Sequence, residues 1–441
     1  MFLRTASTGL LVALGALGAW AGTQALDAEP APRSAPDAAP PESERSPQVP
    51  AAGPATASGP WSAEVQVSSG QTQAVGAVGQ TLAVLPDGTR LIVWRGGGRG
   101  GTAVLSRSRD GVSWSAPTAI PGTEFTQSPN IAAAPDGTVH LIWGQRRGPK
   151  MTMLHMASRD GGRSWGGATQ LSPYTTDQQR GQAIAIDDKG RVHVAWHLGD
   201  PQQGTTPATV WYTRSGPGGR GFSAPQQLGG SLAGHAAFPR LVLTGASGDV
   251  VAVPYRAQQD PPDWDVLVSV SRDGGKTFTT HTAVDTPFRD WDPEAWVDAD
   301  DVIHLAWMTQ RGGGKGVTVD YARSSDFGRT WTTPISLNQV TGRFPSWAAD
   351  PDGRSAWLLW KDERDWGTPP CVGRERCADL IGAFTSNGGR TWTQPELFTD
   401  KGSVEVKFPS VTVDDQGQLH VMWSDRRQAV EQIFYQVRQS P

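Results

Sequence analysis

The chain has 441 residues, with 39 Lys and Arg against 43 Asp and Glu, a formal net charge of -4. That near balance removes the electrostatic reason to expect nucleic acid or an anionic membrane surface as a partner. With 53 Gly, 34 Pro and 19 Trp, the composition favours strands and turns, and helices are expected to be scarce.

Residues 1–25 read as a signal peptide. Arg4 precedes an apolar run from Gly9 to Gly22, and the small residues Ala19 and Ala21 suit cleavage. The run is shorter than a membrane span, which takes about 20 residues, and no Cys follows it to accept a lipid. An uncleaved interfacial anchor is the alternative. The expectation is export, to a periplasm or to the outside, with no membrane span after processing. Residues 26–60 are rich in Ala, Pro, Ser and Glu without periodic apolar positions, and form a linker that cannot bury enough surface to order itself. Residues 61–441 form the folded domain. The two cysteines, Cys371 and Cys377, suit a small loop disulfide in an oxidising compartment.

Two cassettes recur through the folded domain. The first is a pair of alternating strands about a DG-like turn: TLAVLPDGTRLIVW, SPNIAAAPDGTVHLIW, QAIAIDDKGRVHVAW, FPRLVLTGASGDVVAVPY, PEAWVDADDVIHLAW, FPSWAADPDGRSAWLLW and FPSVTVDDQGQLHVMW. The second reads SRDGVSW, SRDGGRSW, SRDGGKTF, SSDFGRTW and SNGGRTW, with RSGPGGRGF as a degenerate copy. In these turns Asp110, Asp160, Asp273, Asp326 and Asn387 can accept backbone N–H bonds, glycine can take positive φ, and an aromatic opens the next strand. The aromatic recurs at Trp61, Trp114, Trp165, Phe222, Phe278, Trp331 and Trp392. Repeats of this length mark an array of supersecondary units.

The second cassette resembles the Asp box of the sialidase superfamily, and the resemblance covers nearly everything from Trp61 onward. It implies an all-β fold, a β-propeller of four-stranded antiparallel blades, and the repeat count makes the blades seven. Seven inner hairpins and seven aromatics balance only if the N-terminal strand at Trp61 completes the C-terminal blade, a closure that removes open sheet edges. Catalytic sialidases have six blades, so the seventh is a departure.

Within each blade, the DG turns and Asp boxes share one face, and the longer loops share the other. Loops on a rigid scaffold usually carry function. The loop face is crowded with arginine, whose planar fork matches carboxylate and sulfate. An acidic glycan is therefore the expected ligand, and the protein is expected to act as a monomer. The resemblance implies three arginines clamping a substrate carboxylate, one in an Arg-Ile-Pro element that Arg343-Phe344-Pro345 matches. Arg256, Arg147 and Arg427 are further candidates. It also implies a Tyr nucleophile with a Glu partner and a separate acid. Tyr435 with Glu431, or Tyr255 at a loop edge, are the candidates, although strand alternation also suits Tyr435 to packing. Asp292 is the acid named from a cluster that includes Asp260, Asp263, Asp265, Asp290 and Glu294. Asp362/Arg364 and Asp425/Arg427 read as pairs that tie loops to blades.

His140, His193, His304 and His420 occupy one repeat position and read as architecture. His197 and His235 break the pattern. With Tyr255 and Arg256 they supply the base, acid and carboxylate partner of a uronate lyase. A glycan-binding or protein-binding propeller without catalysis is the second reading after the hydrolase, and the lyase is the third. The acidic loops lack the regular ligand spacing that would argue for calcium, so no cofactor is expected.

Overall fold

The computed structural model describes residues 61–439, except 69–73, 76–78, 98–99, 177, 200–206, 230–233, 244–248, 259–262, 312–315, 339–340, 351, 364–377, 400–405 and 426–429. The expected signal peptide and linker, the Cys371/Cys377 pair, Asp260, Arg364 and Arg427 lie outside the described residues. The described residues form seven antiparallel sheets, each a meander of one repeat. Blade two shows the pattern. Its inner strand Thr126–Ala133 pairs with Val139–Arg147, which pairs with Lys150–Ser158, and the two-residue strand Thr169–Gln170 closes the outer edge.

Ring closure follows the predicted exchange. Val65–Gln66 pairs with Gln432–Gln439 in the register Val65 to Tyr435 and Gln66 to Phe434, so the first strand of the domain completes blade seven. Trp61 meets Phe398 of blade six edge-on at 4.6 Å. Arg438 of blade seven stacks over Trp357 of blade six at 4.6 Å and pairs with Glu396 at 2.9 Å. An N-terminal strand thus seals the joint between the last two blades.

The hydrophobic core is divided among the blade interfaces. Each of seven clusters draws on two adjacent blades. For example, Leu91, Val93 and Leu105 of blade one pack with Ile131, Leu141 and Trp143 of blade two. Met422, Ile433 and Tyr435 of blade seven pack with Leu82, Ile92 and Trp94 of blade one. The middle strands are covered on both faces, which is why they read as continuous apolar runs.

The Asp boxes lock these interfaces from one face. Asp273 Oδ1 accepts from Lys276 N and Thr277 N at 2.9 Å each, and Oδ2 accepts from Thr277 Oγ1 at 2.7 Å. Asp110, Asp160 and Asp326 hold their turns in the same way, and Asn387 Oδ1 accepts from Arg390 N and Thr391 N. These bonds favour the ionised form and hold Asp110 and Asp160 well below the usual carboxylate range. The second box glycine sits against the preceding blade. At Gly275 (φ 83°) any Cβ would collide with the Tyr212 hydroxyl.

That tyrosine ends a recurring polar chain. Asp187 Oδ2 meets His193 Nε2 at 3.2 Å, His193 Nδ1 meets Tyr212 Oη at 2.6 Å, and the Tyr212 ring meets Phe278 of the next box at 4.8 Å. Asp298–His304–Tyr321 reaches Trp392, and Asp414–His420–Tyr435 reaches Trp114, in the same arrangement. In blade two the pair His140 and His155, 3.0 Å apart, takes this place and reaches Phe222. The four repeat-position histidines are joints between blades.

Two outcomes follow from these interfaces. Trp61→Ala, which removes half-buried aromatic surface from the closure, lowers the unfolding free energy by about 2 to 4 kcal/mol in equilibrium urea denaturation. An unchanged midpoint would show that the N-terminal strand does not hold the ring. Burial pushes His140 down to about 4 and His155 to about 3, whereas both titrate near 6.5 when unfolded. The unfolded chain therefore binds more protons at acid pH, so stability is complete above about pH 6.5 and declines as pH falls toward 4. The urea midpoint measured from pH 7 to 4.5 shows this decline, with a shallower slope in His140→Phe/His155→Phe.

Candidate functional site

Each inner strand enters from the loop face and bends at one residue with positive φ: Gly79, Ser128, Gly181, Phe238, Asp292, Phe344 and Phe408, at 108°, 43°, 58°, 54°, 47°, 54° and 50°. Five of these precede proline. The pairing register shifts at the bend, for example between Arg343 and Ser346. Non-glycine residues in this region cost about 1 to 3 kcal/mol each and persist where surrounding structure overdetermines them, often at functional sites. Below the bends, the inner strands of all seven blades enclose a cavity of about 390 Å³. Arg240 and Glu294 form an ion pair on its wall through Arg240 Nε and Glu294 Oε1. Burial pushes the Glu294 carboxyl up against the pull of Arg240.

Blades three to five gather the charged groups at this mouth. Arg256 lies flat between two aromatic rings, 4.4 Å from the Phe238 centroid and 4.6 Å from that of Trp264. Burial lowers its pKa, with the Asp292 carboxylate pulling the other way. Its Nε is buried without a hydrogen-bond acceptor. His197, 1 % exposed, accepts a bond from Phe238 N at Nδ1 over 3.3 Å, which places its proton on Nε2. Burial, reinforced by the charges of Arg256, Arg180 and Arg240, pushes His197 down to about 3. Gly181 allows the close approach, since a Cβ there would fall 2.7 Å from His197 Nδ1. A neutral imidazole, three guanidiniums and two carboxylates thus share one mouth.

The other expected residues are placed as follows. Arg343 sits at the rim of blade six with Nε 3.1 Å from Glu363 Oε2, and Lys361 Nζ holds the other oxygen at 2.7 Å. Burial opposes the charge of Glu363, yet Lys361 and Arg343 hold its carboxyl below the ordinary range. Arg147 stacks over Tyr174 at 5.3 Å. His235 Nδ1 accepts from Ala208 N at 3.3 Å. Asp290 is buried and binds Trp307 Nε1 at 3.0 Å and Thr309 Oγ1 at 2.6 Å, a structural role. Asp362 and Asp425 are buried.

Two expectations are corrected. Tyr255 does not open onto the loop face: it is fully buried, with its hydroxyl 3.0 Å from Ser269 Oγ. Tyr435 is fully buried with its hydroxyl on His420, and burial raises it to about 12. Glu431 binds Ser424 Oγ at 2.8 Å. A side chain at a strand middle, covered by the next blade, is closed to a substrate. Of the described tyrosines, Tyr174 stands in a loop on the functional face. Sequence reasoning missed Tyr174, Arg180, Arg240, Phe238 and Trp264. The Phe-Pro pairs at 238, 344 and 408 were the legible signal, since each marks an inner-strand bend.

The electrostatics of the mouth are open to measurement. His197 remains neutral from pH 8 down to about pH 4 in a nitrogen-detected NMR titration, and Arg256→Ala raises its midpoint by removing a like charge. A midpoint near 6.5 in the intact protein would show that His197 is not buried among these arginines.

Several solved structures share this fold. An ulvan lyase of a polysaccharide lyase family, solved with -[GlcA(1-4)Rha3S]- bound, is 13 % identical with a TM-score of 0.58, covering 85 % of this chain and 96 % of its own. An α-L-arabinofuranosidase from Fusarium graminearum is 12 % identical with a TM-score of 0.51, over 86 % and 98 %. The NanB sialidase from Streptococcus pneumoniae is 10 % identical with a TM-score of 0.50, over 80 % and 84 %. At these identities the likeness is one of fold. No characterised protein sequence matches the chain. The profile of the BNR repeat-like domain matches residues 144–421, and with its ring of Asp-box blades the chain belongs to that family.

Proposed function

We propose that the protein is an exported propeller directed at acidic glycans, and that it takes a sugar carboxylate on Arg256 at the loop-face mouth of blades three to five. The observation that carries this reading is a half-buried guanidinium, clamped between Phe238 and Trp264, whose buried Nε has no acceptor. A buried donor left unpaired costs about 1 to 3 kcal/mol or more when charged, and a ligand oxyanion would recover it. Phe344 and Phe408, with ring centroids 6.1 Å apart at the rim, offer apolar faces for a sugar ring, the usual lining of a ligand site. Arg343 keeps its outer nitrogens for the same ligand. The acidic sugars named for the ulvan lyase and the sialidase substrate class of NanB support this choice among glycans.

Sialoside hydrolysis would draw its nucleophile from the loop face, where Tyr174 stands beside Arg147. Uronate elimination is a second reading, favoured by Arg256 as the partner of the sugar carboxylate, with the Nε2–H of His197 as a donor near it. There a base of the loop face other than His197, whose Nδ1 lone pair is held by Phe238 N, would take the C5 proton, the C4–O bond would break, and a C4=C5 double bond would form as the leaving oxygen gains a proton from water.

Calorimetric titration with oligouronides and sialyl-lactose tests the reading, alongside turnover of a fluorogenic sialoside and ultraviolet detection of unsaturated uronide. Binding of one acidic sugar is expected, weakened about 10- to 100-fold by Arg256→Ala, the cost of one or two charged hydrogen bonds. Equal binding by wild type and variant overturns the role of Arg256. Binding without turnover makes the protein a glycan-binding propeller.

A further inference from the structure

The opposite face carries a second groove, between blades one and two, of about 640 Å³. It lies where the polar joint is missing. Leu91 and Leu105 stand at the positions that hold the His and Tyr of the joints in blades three, five and seven, and they pack into the apolar interface instead.

Arg107 enters this groove from the third strand of blade one, Thr102–Ser108. Arg323 holds the equivalent position in blade five, and there its Nη1 donates to Gly388 O of the next Asp box at 3.0 Å. Arg107 finds no such acceptor: its Nη1 is buried without a partner. Burial, and then the like charge of Arg163 across the groove, lower its pKa. Arg159 lines the same groove from the blade-two box.

The carboxylates nearby are engaged by their own turns. Asp160 Oδ1 accepts from Ser158 Oγ, Arg163 N and Ser164 N, and Oδ2 from Ser164 Oγ. Asp136 Oδ1 accepts from Thr138 N at 2.8 Å, and Asp87 Oδ1 from Thr89 N at 2.9 Å. Asp87 stands 3.9 Å from the exposed Arg109. The groove therefore presents one buried guanidinium nitrogen, Arg107 Nη1, whose acceptor is absent, beside the exposed guanidiniums of Arg159 and Arg163, the latter with Nη1 on Asp160 O at 2.6 Å; a buried donor left unpaired carries a cost.

We propose that this groove binds an oxyanion, as sulfate, carboxylate or phosphate, carried by an acidic ligand, with Arg107 as the inner donor and Arg159 and Arg163 at the rim. The site is separate from the loop-face mouth and independent of it. Two anion sites on opposite faces would let one molecule hold an acidic polymer at one face while the other works on it, a gain of effective concentration.

Fluorescence anisotropy of the full chain at low ionic strength tests this with three probes: a labelled sulfated octasaccharide, a labelled oligogalacturonate, and inorganic phosphate as competitor of either. Binding of at least one probe is expected. It should weaken about tenfold or more in Arg107→Gln and in Arg159→Gln/Arg163→Gln, a loss of one charged bond or more, and the component lost in these groove variants should remain in Arg256→Gln, which removes only binding at the loop-face mouth. The probe that binds identifies the oxyanion. The exposed double variant decides alone if Arg107→Gln lowers the melting temperature. No binding of any probe, or binding that both groove variants leave intact, overturns the proposal, and so does binding abolished by Arg256→Gln.

Discussion

No blade of this protein has a core of its own. Each sheet is thin and apolar on both faces, so its burial depends on the neighbour on either side, and the interfaces hold only if the ring is complete. The last interface is completed by a strand from the other end of the domain, seated by Trp61 on Phe398 and by Arg438 on Trp357. That dependence explains why the conspicuous sequence features are joints. The box aromatic and the box glycine are where one blade meets the tyrosine or histidine of the blade before it.

The joints also show how buried polarity is accommodated. In Asp187–His193–Tyr212 and its two counterparts, each buried nitrogen and hydroxyl has a partner, and the imidazole is held neutral by its surroundings. Networks satisfied in this way orient their members and rigidify the fold. Arg256 and Arg107 are of the other kind: half-buried guanidiniums, each with a nitrogen that no acceptor reaches. One lies in the mouth of the axial cavity, the other in the groove where the polar joint is replaced by leucines. What sets these two apart from other buried nitrogens without acceptors, such as those of Arg438, is that each lies at a cavity or groove that could admit the oxyanion proposed for it.

The mouth itself depends on backbone geometry that propensity alone would resist. Phe238, Asp292, Phe344 and Phe408 take positive φ ahead of proline, which shifts the pairing register and turns each inner strand over the cavity. Rigid blades on both sides hold these bends. The charged groups of blades three to five converge because their carriers share one bend: Arg180 faces His197 across one strand pair, and Ala237 faces Arg256 across the next.

The amino-acid sequence by itself determined the number of blades, the pairing of inner hairpins, the structural part of the Asp boxes and the exchange at Trp61. These follow from periodic apolar residues and turn chemistry, which act over a few residues and repeat seven times. It also separated the four joint histidines from His197 by their repeat position. Tertiary structure alone decided which side chains are open. Tyr255 is covered by packing that has no local signature, whereas strand alternation already suited Tyr435 to packing. Arg240, Arg180 and Trp264 reach the mouth only because successive blades rotate about a common axis, and Arg107 lacks an acceptor only because the neighbouring blade does not bring one. A functional site here is a relation between repeats, and the physical reason it escapes the sequence is that convergence is set by interfaces between blades rather than by the spacing within any one of them.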